Sequence, residues 1–150
     1  MRSFADTSVL CALYREQART RAADALVSGL SEGLCLSSLV ALEFRQSARL
    51  QVFRFCNDRT QGFSKSEAGK MFHDFEDDLA SGVVEILHVD WGDVHSLAER
   101  ISARHTMAHG HRTLDVLHVA TAIHARVEAF LTFDENQANL ARTEGLKARP

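Results

Sequence analysis

Short apolar runs separated by longer helical patterns are the feature that most constrains the fold of this 150-residue chain. Runs typical of β-strands occur at about residues 2–6, 34–37, 83–89, 129–133 and 146–149. Strands that alternate with helices predict a mostly parallel sheet, because a parallel connection needs a long crossover that usually holds a helix. We therefore expect an α/β fold in which helices cover a sheet of four to five strands.

The composition predicts a single domain over residues 1–150. Hydrophobic residues make up 45% of the chain and charged residues 25%, which is ordinary for a soluble globular protein. No apolar segment approaches the length of about 20 residues that crosses a bilayer, and the first residues lack a signal-peptide pattern. We expect a cytoplasmic protein. Its three cysteines, Cys11, Cys35 and Cys56, form no CxxC pair and are expected to be reduced packing residues.

Two aspartates directly follow predicted strands. Asp6 comes after the first, and Asp134 comes after the fourth in the stretch "LTFDENQANLA". Ligands of open α/β sheets bind beyond the carboxyl ends of the strands, so both carboxylates are expected at that edge. The alternative for Asp134 is a helix N-cap, because its carboxylate can accept unpaired backbone N–H groups of the next helix.

Glu43 is an acidic residue within an apolar helical stripe. Residues 38–54 predict a helix whose core-facing stripe contains Leu39, Leu42, Leu50 and Phe53. Glu43 projects about 40° from Leu39, inside this stripe. A carboxylate there is costly unless it is paired, and a salt bridge to Arg45 or Arg112 is the alternative to a functional role.

Asp115 lies at the margin of another apolar stripe, in "RTLDVLHVATAIHARV". The stripe consists of Val116, Val119, Ala120, Ile123 and Val127. Because the opposite side is also apolar, we expect this helix to be buried nearly all round. The alternative for Asp115 is a first-turn acid stabilised by the helix dipole, with Thr113 as a candidate N-cap.

Four carboxylates at one edge would raise one another's pKa and destabilise the fold unless a cation neutralised them. A site built from oxygen ligands favours Mg²⁺ or Mn²⁺.

The order of "DTSVL" at 6–10, Glu43, "DVLHVATA" at 115–122 and "LTFDENQANLA" at 131–141 closely resembles the PIN-domain ribonucleases. The resemblance is strongest to the VapC-like toxins of type II toxin–antitoxin pairs, and it covers nearly the whole chain. It implies a PIN-like, Rossmann-like parallel sheet of order 3-2-1-4-5 and an Mg²⁺- or Mn²⁺-dependent endoribonuclease. It places the family's acidic quartet, as metal ligands and catalytic residues, on Asp6, Glu43, Asp115 and Asp134. It places the supporting groups on Thr7, Ser8, Thr132 and Asn136.

The resemblance also implies partners: an RNA substrate, a cognate antitoxin and a second copy of the chain in a homodimer. Arg45, Arg49 and Arg112 are the arginines nearest in sequence to Glu43 and Asp115, so they are candidates for RNA or partner contact. The alternative for Arg45 and Arg49 is a solvated helix face.

Two histidine patterns have alternative interpretations. His105, His109 and His111 could suggest zinc, but no HExxH motif or cysteine accompanies them, so we expect a solvated helix end or loop. His118 is expected to be a packing or interface residue.

Two other classes of protein fit parts of the pattern. A non-catalytic PIN-like scaffold would bind RNA or protein without cleavage, although the presence of all four acids argues against it. A phospho-receiver domain needs a lysine near its last strand and an acidic pair after its first strand; Lys147 comes too late and the acidic pair is absent. Metal-dependent RNA cleavage would distinguish the nuclease from both.

Overall fold

The computed structural model describes residues 2–15, 20–30 and 32–149. Within them, five strands form one sheet: Ser3–Ala5 (β1), Leu34–Ser37 (β2), Val84–Leu87 (β3), Ala129–Leu131 (β4) and Lys147–Arg149 (β5). The strand order is β3-β2-β1-β4-β5, and every neighbouring pair is parallel. The predicted α/β class and strand order are confirmed.

Seven helices lie within the described ranges. They are Thr7–Tyr14 (α1), Thr20–Ser28 (α2), Ser38–Asn57 (α3), Lys65–Ser81 (α4), Trp91–His109 (α5), Thr113–His124 (α6) and Glu135–Thr143 (α7). None of these helices is both long enough and apolar enough to span a membrane.

The central strand β1 determines where a ligand can bind. It pairs with β2 on one side and β4 on the other, so Phe4 lies between Cys35 and Phe130. The rings of Phe4 and Phe130 stack with their centroids 5.7 Å apart in the core. Because the strand order reverses at β1, the carboxyl ends of β1 and β4 border the crevice where α/β proteins bind ligands.

Helix α3 buries a different face from the one that its sequence predicts. Leu42, Leu50 and Phe53 are exposed, so the predicted core-facing stripe is wrong. The buried residues are Val40, Ala41, Phe44 and Ala48. The sequence of α3 has two apolar faces, and the buried one carries Phe44. The ring centroids of Phe44 and Phe75 of α4 lie 5.1 Å apart. Glu43 lies beside this buried face and is half-buried.

Helix α6 is largely buried, as predicted. Six of its residues are buried: Val116, His118, Val119, Ala120, Thr121 and Ala122. The N-cap is Arg112, which makes no side-chain capping bond, so the candidate cap Thr113 is instead the first residue of the helix. Asp115 lies in the first turn of this buried helix and is itself only partly buried.

The described cysteines are free. Cys35 is buried and Cys11 partly buried, as expected for packing residues, whereas Cys56 is exposed near the end of α3.

Candidate active site at the carboxyl edge of the sheet

Asp6 occupies the end of the central strand and caps the next helix. Its Oδ1 accepts hydrogen bonds from Ser8 Oγ at 2.6 Å and from the backbone N–H of Val9 at 3.2 Å. Its Oδ2 accepts a bond from Thr132 Oγ1 at 2.6 Å. Burial raises the pKa of Asp6 even though these three donors favour the charged form. A carboxylate held under this strain would be stabilised by a nearby cation.

Glu43 reaches the same edge from α3. Its Oε2 accepts hydrogen bonds from the hydroxyl of Thr7 and, at 2.7 Å, from Nε2 of His118. These bonds, with His118 contributing most, lower the pKa of Glu43 against the opposing effect of burial. The salt bridge from Arg45 or Arg112 to Glu43 that the sequence suggested is absent from these contacts; Arg45 instead bonds to Glu76 at 2.5 Å.

The contact with Glu43 also defines the tautomer of His118. The ring is 2% exposed, and its Nδ1 is buried without a hydrogen-bond partner. A bare Nδ1 lone pair is less costly there than an unpaired N–H, so we assign the proton to Nε2, which donates to Glu43. His118 therefore belongs to the site, in addition to the packing role that the sequence indicated.

Asp115 and Asp134 share one guanidinium group. Arg112 donates from Nε to Asp115 at 2.9 Å and from Nη2 to Asp134 at 3.3 Å. Asp134 also caps α7 by accepting the backbone N–H of Gln137 at 3.0 Å, so its predicted capping role is confirmed. Asp134 therefore both caps α7 and lies beside Asp115 at the edge of the sheet.

A network of hydroxyl groups connects these carboxylates. Thr132 Oγ1 accepts the backbone N–H of Asp134 at 3.0 Å while it donates to Asp6. Ser8 Oγ accepts the backbone N–H of Phe133 at 2.9 Å. Helix α6 completes the connection, because it carries both Asp115 and His118, one turn apart. All four predicted acids are thus joined through short chains of contacts at one edge.

Sequence reasoning missed Gln137, and the supporting role of Asn136 stays a prediction. The Gln137 side chain is 1% exposed, and its Oε1 lies 3.0 Å from Thr132 Oγ1. The Asn136 amide is exposed and lies 3.5 Å from the backbone oxygen of His109, with no contact to an acid. On a helix that begins at Glu135, the third residue faces back toward the cap; this spacing could have identified Gln137.

The remaining candidate arginines lie against α4. The guanidinium of Arg45 lies over the Phe75 ring at 5.1 Å, and that of Arg49 lies over the Phe72 ring at 5.5 Å. Contacts of this kind hold the guanidinium groups along the α3–α4 surface.

The C-terminal histidines of α5 have structural partners. His105 Nε2 lies 2.6 Å from Glu144, which also receives Arg104. The rings of His109 and His111 lie 6.1 Å apart. In residues 2–15, 20–30 and 32–149, no three His, Cys, Asp or Glu side chains are placed to hold a metal ion.

Among the described residues this includes the four acids, no three of which are placed around a single metal ion. Asp115 and Asp134 are nevertheless close enough to share one cationic group, the guanidinium of Arg112. Mg²⁺ commonly binds through one or two carboxylates and keeps several water ligands. The donor set of carboxylates and hydroxyls therefore fits a hard divalent cation that is bound partly through water.

A parallel sheet of order 3-2-1-4-5 with four linked acids at its carboxyl edge defines an α/β protein with an acidic crevice. The sequence model of the PIN domain matches residues 3–143. The chain belongs to the PIN domain family.

Two solved structures resemble the whole fold. FitAcB from Neisseria gonorrhoeae aligns with a TM-score of 0.67 and 18% sequence identity, covering 99% of this chain and 96% of that chain. VapC20 from Mycobacterium tuberculosis, described as a Sarcin-Ricin loop cleaving toxin, aligns with a TM-score of 0.67 and 21% identity, covering 99% of each chain. No curated protein sequence matched significantly.

Proposed function

We propose that this protein is a metal-dependent endoribonuclease and the toxin of a toxin–antitoxin pair. The observation that carries the proposal is the linkage of Asp6, Glu43, Asp115 and Asp134 at the carboxyl edge of a PIN-domain sheet. VapC20, a toxin that cleaves the Sarcin-Ricin loop, has the same fold and supports RNA as the substrate.

Asp6, Asp115 and Asp134 would hold Mg²⁺ or Mn²⁺ directly or through water, with Glu43 as a further ligand or as the group that orients the attacking water. A divalent cation held there would lower the pKa of a water ligand and would stabilise charge on the phosphate oxygens. Ser8 and Thr132 fix both oxygens of Asp6, which leaves this carboxylate little rotational freedom. His118 and Thr7 fix Glu43 by the same means.

Exposed apolar side chains support the proposal that the chain binds protein partners. Leu42 is 58% exposed and lies at a groove of about 400 Å³ that Leu39, Trp91 and Leu117 also line. A second groove, of about 470 Å³, lies between α3 and α4 and is lined by Val52, Phe53 and Phe72. Apolar patches of this kind commonly mark protein interfaces. We propose that the Leu42 groove forms a homodimer interface and that the second groove receives an antitoxin segment.

The experiment is incubation of the purified protein with RNA in Mg²⁺ or Mn²⁺, with EDTA in a parallel sample. The proposal predicts internal cleavage that EDTA abolishes. Co-expression with a neighbouring small gene should relieve any growth arrest that the protein causes. RNA binding without cleavage in either metal would instead support a non-catalytic PIN-like scaffold.

A further inference from the structure

Arg112 is an exposed cation that bridges two acids of the site. Its side chain is 76% exposed, yet its guanidinium group contacts Asp115 through Nε and Asp134 through Nη2. Asp115 lies in the first turn of α6, and Asp134 is the N-cap of α7. The bridge therefore joins the beginnings of two helices that border the crevice.

The four acids divide into two pairs by the kind of donor that satisfies them. Asp6 and Glu43 are bonded by hydroxyls, a backbone N–H group and the buried imidazole of His118. Asp115 and Asp134 receive the positive charge of Arg112, and Asp134 also accepts the backbone N–H of Gln137. The guanidinium thus supplies, from within the chain, the cation that clustered carboxylates require.

A divalent cation bound by these carboxylates would compete with the guanidinium group, because two cations repel each other at such short range. Exposed arginine–carboxylate pairs are weak, because water screens them and the long side chain loses entropy when it is held. A side chain that is 76% exposed can also rotate into solvent without disrupting the core. Arg112 is consequently a cation that a better ligand can displace.

We propose that Arg112 is a displaceable counter-ion, which bridges Asp115 and Asp134 in the metal-free protein and is released to bind an RNA phosphate when a divalent cation takes these carboxylates. The inference rests on the proposed nuclease function. It gives the arginine two successive partners, both anionic, and couples metal binding to RNA binding. A guanidinium group suits both, since its planar donors match carboxylate and phosphate oxygens alike.

The first test measures Mn²⁺ affinity by calorimetry, without RNA. Arg112→Gln removes the competing cation and should bind Mn²⁺ about two- to fivefold more tightly than wild type, as expected for loss of an ion pair whose arginine is exposed to solvent. Arg112→Lys retains the charge but loses the two-pronged contact, so it should also bind more tightly than wild type. Arg142→Gln, which removes an arginine that pairs with Glu135, is the control and should match wild type.

The second test measures RNA affinity against salt with a single-stranded RNA, by anisotropy, in EDTA and in Ca²⁺. In EDTA the slopes of log affinity against log salt should coincide for wild type and Arg112→Gln, because Arg112 is held by the acids. In Ca²⁺ the wild-type slope should be steeper than that of Arg112→Gln by about 0.7, the value for one additional phosphate contact on a single strand.

Unchanged or weaker Mn²⁺ binding in Arg112→Gln would overturn the proposal. Tighter binding in Arg112→Gln with wild-type affinity in Arg112→Lys would also overturn it, because long-range charge would then explain the effect. Either result leaves the nuclease proposal intact if wild type still binds Mn²⁺ and cleaves RNA. Absence of both Mn²⁺ binding and cleavage in wild type would reject the nuclease proposal itself.

Discussion

His118 Nε2 lies 2.7 Å from Oε2 of Glu43, so a buried histidine on α6 fixes an acid on α3. The imidazole is 2% exposed, whereas the Glu43 side chain is 32% exposed. The rigid partner is therefore in the core, and the carboxylate that it orients faces the crevice. This arrangement makes His118 a positioning residue in the proposed mechanism.

Replacement of His118 separates positioning from packing. His118→Leu fills the buried position with an apolar side chain and removes the hydrogen-bond donor. It should lower kcat about 10- to 100-fold, since a hydrogen bond to a charged group contributes about 1.5–3 kcal/mol. His118→Gln places an amide N–H near the same position and should recover much of kcat. Steady-state kinetics on a short RNA gives both values. Equal loss in the two variants, with equally lowered Tm, would indicate a purely structural histidine.

Asp6→Asn tests the electrostatic strain at the end of β1. Burial raises the pKa of Asp6, so the charged form destabilises the folded state at pH 7, and this penalty disappears as the pH falls toward the ordinary aspartate value of about 3.9. Asp6→Asn should therefore raise Tm in EDTA at pH 7, with about 2–4 °C expected for each kcal/mol gained.

The advantage of Asp6→Asn should shrink as the pH falls from 7 toward the ordinary aspartate value, because a raised pKa lets Asp6 gain its proton in the folded state before it does so in the unfolded chain. Asp93→Asn, at an exposed aspartate in the first turn of α5, is the control and should change Tm little at either pH. A lower Tm for Asp6→Asn across the whole range would show that the lost hydrogen bonds outweigh the removed charge.

Leu42→Glu tests the proposed dimer interface. A charge in the groove that Leu39, Trp91 and Leu117 line should prevent its burial against a second copy, because an unpaired charge is costly to desolvate. Sedimentation should show a dimer for wild type and a monomer for Leu42→Glu. Met107→Glu changes another apolar side chain, 93% exposed at the end of α5, and should remain dimeric. A monomeric wild type at micromolar concentration would contradict the dimer.

Arg45 and Arg49 remain candidates for RNA contact. Substitution of both by Gln should weaken RNA binding with little change in metal affinity. The slope of log affinity against log salt should become less steep by about 0.7–0.9 for each lost phosphate contact. Both side chains lie over aromatic rings of α4, so the Tm of the double variant must be compared with that of wild type. Coincident slopes would make the protein-partner interpretation of this helix the better one.

The strands could be predicted because each apolar run is bounded by helical patterns, and a parallel sheet buries both faces. Their order was implied by the resemblance to the PIN-domain ribonucleases. Asp6 and Asp134 could be placed because each directly follows a strand. The buried face of α3 could not, because Leu42 and Phe44 lie in two apolar stripes of similar strength. Tertiary packing selects between them, and it places the Phe44 ring against those of Tyr14, Phe72 and Phe75.

The partners within the site were also beyond sequence reasoning. His118 occupies an apolar helix and reads as a packing residue until α3 brings Glu43 to 2.7 Å. Arg112 lies three residues before Asp115, so that pair was within reach of the helical spacing. Its second partner, Asp134, is distant in sequence and depends on the packing of α6 against α7.

RNA cleavage by Asp115→Asn, measured beside wild type in Mn²⁺, is the most direct test of the central claim. The substitution keeps the size of the side chain at the first turn of α6 and removes one of the linked carboxylates. We expect that wild type cleaves RNA, that EDTA abolishes cleavage, and that Asp115→Asn has lost this activity while its circular dichroism matches that of wild type. Full activity in a folded Asp115→Asn variant would contradict the assignment of the acidic edge as the catalytic centre.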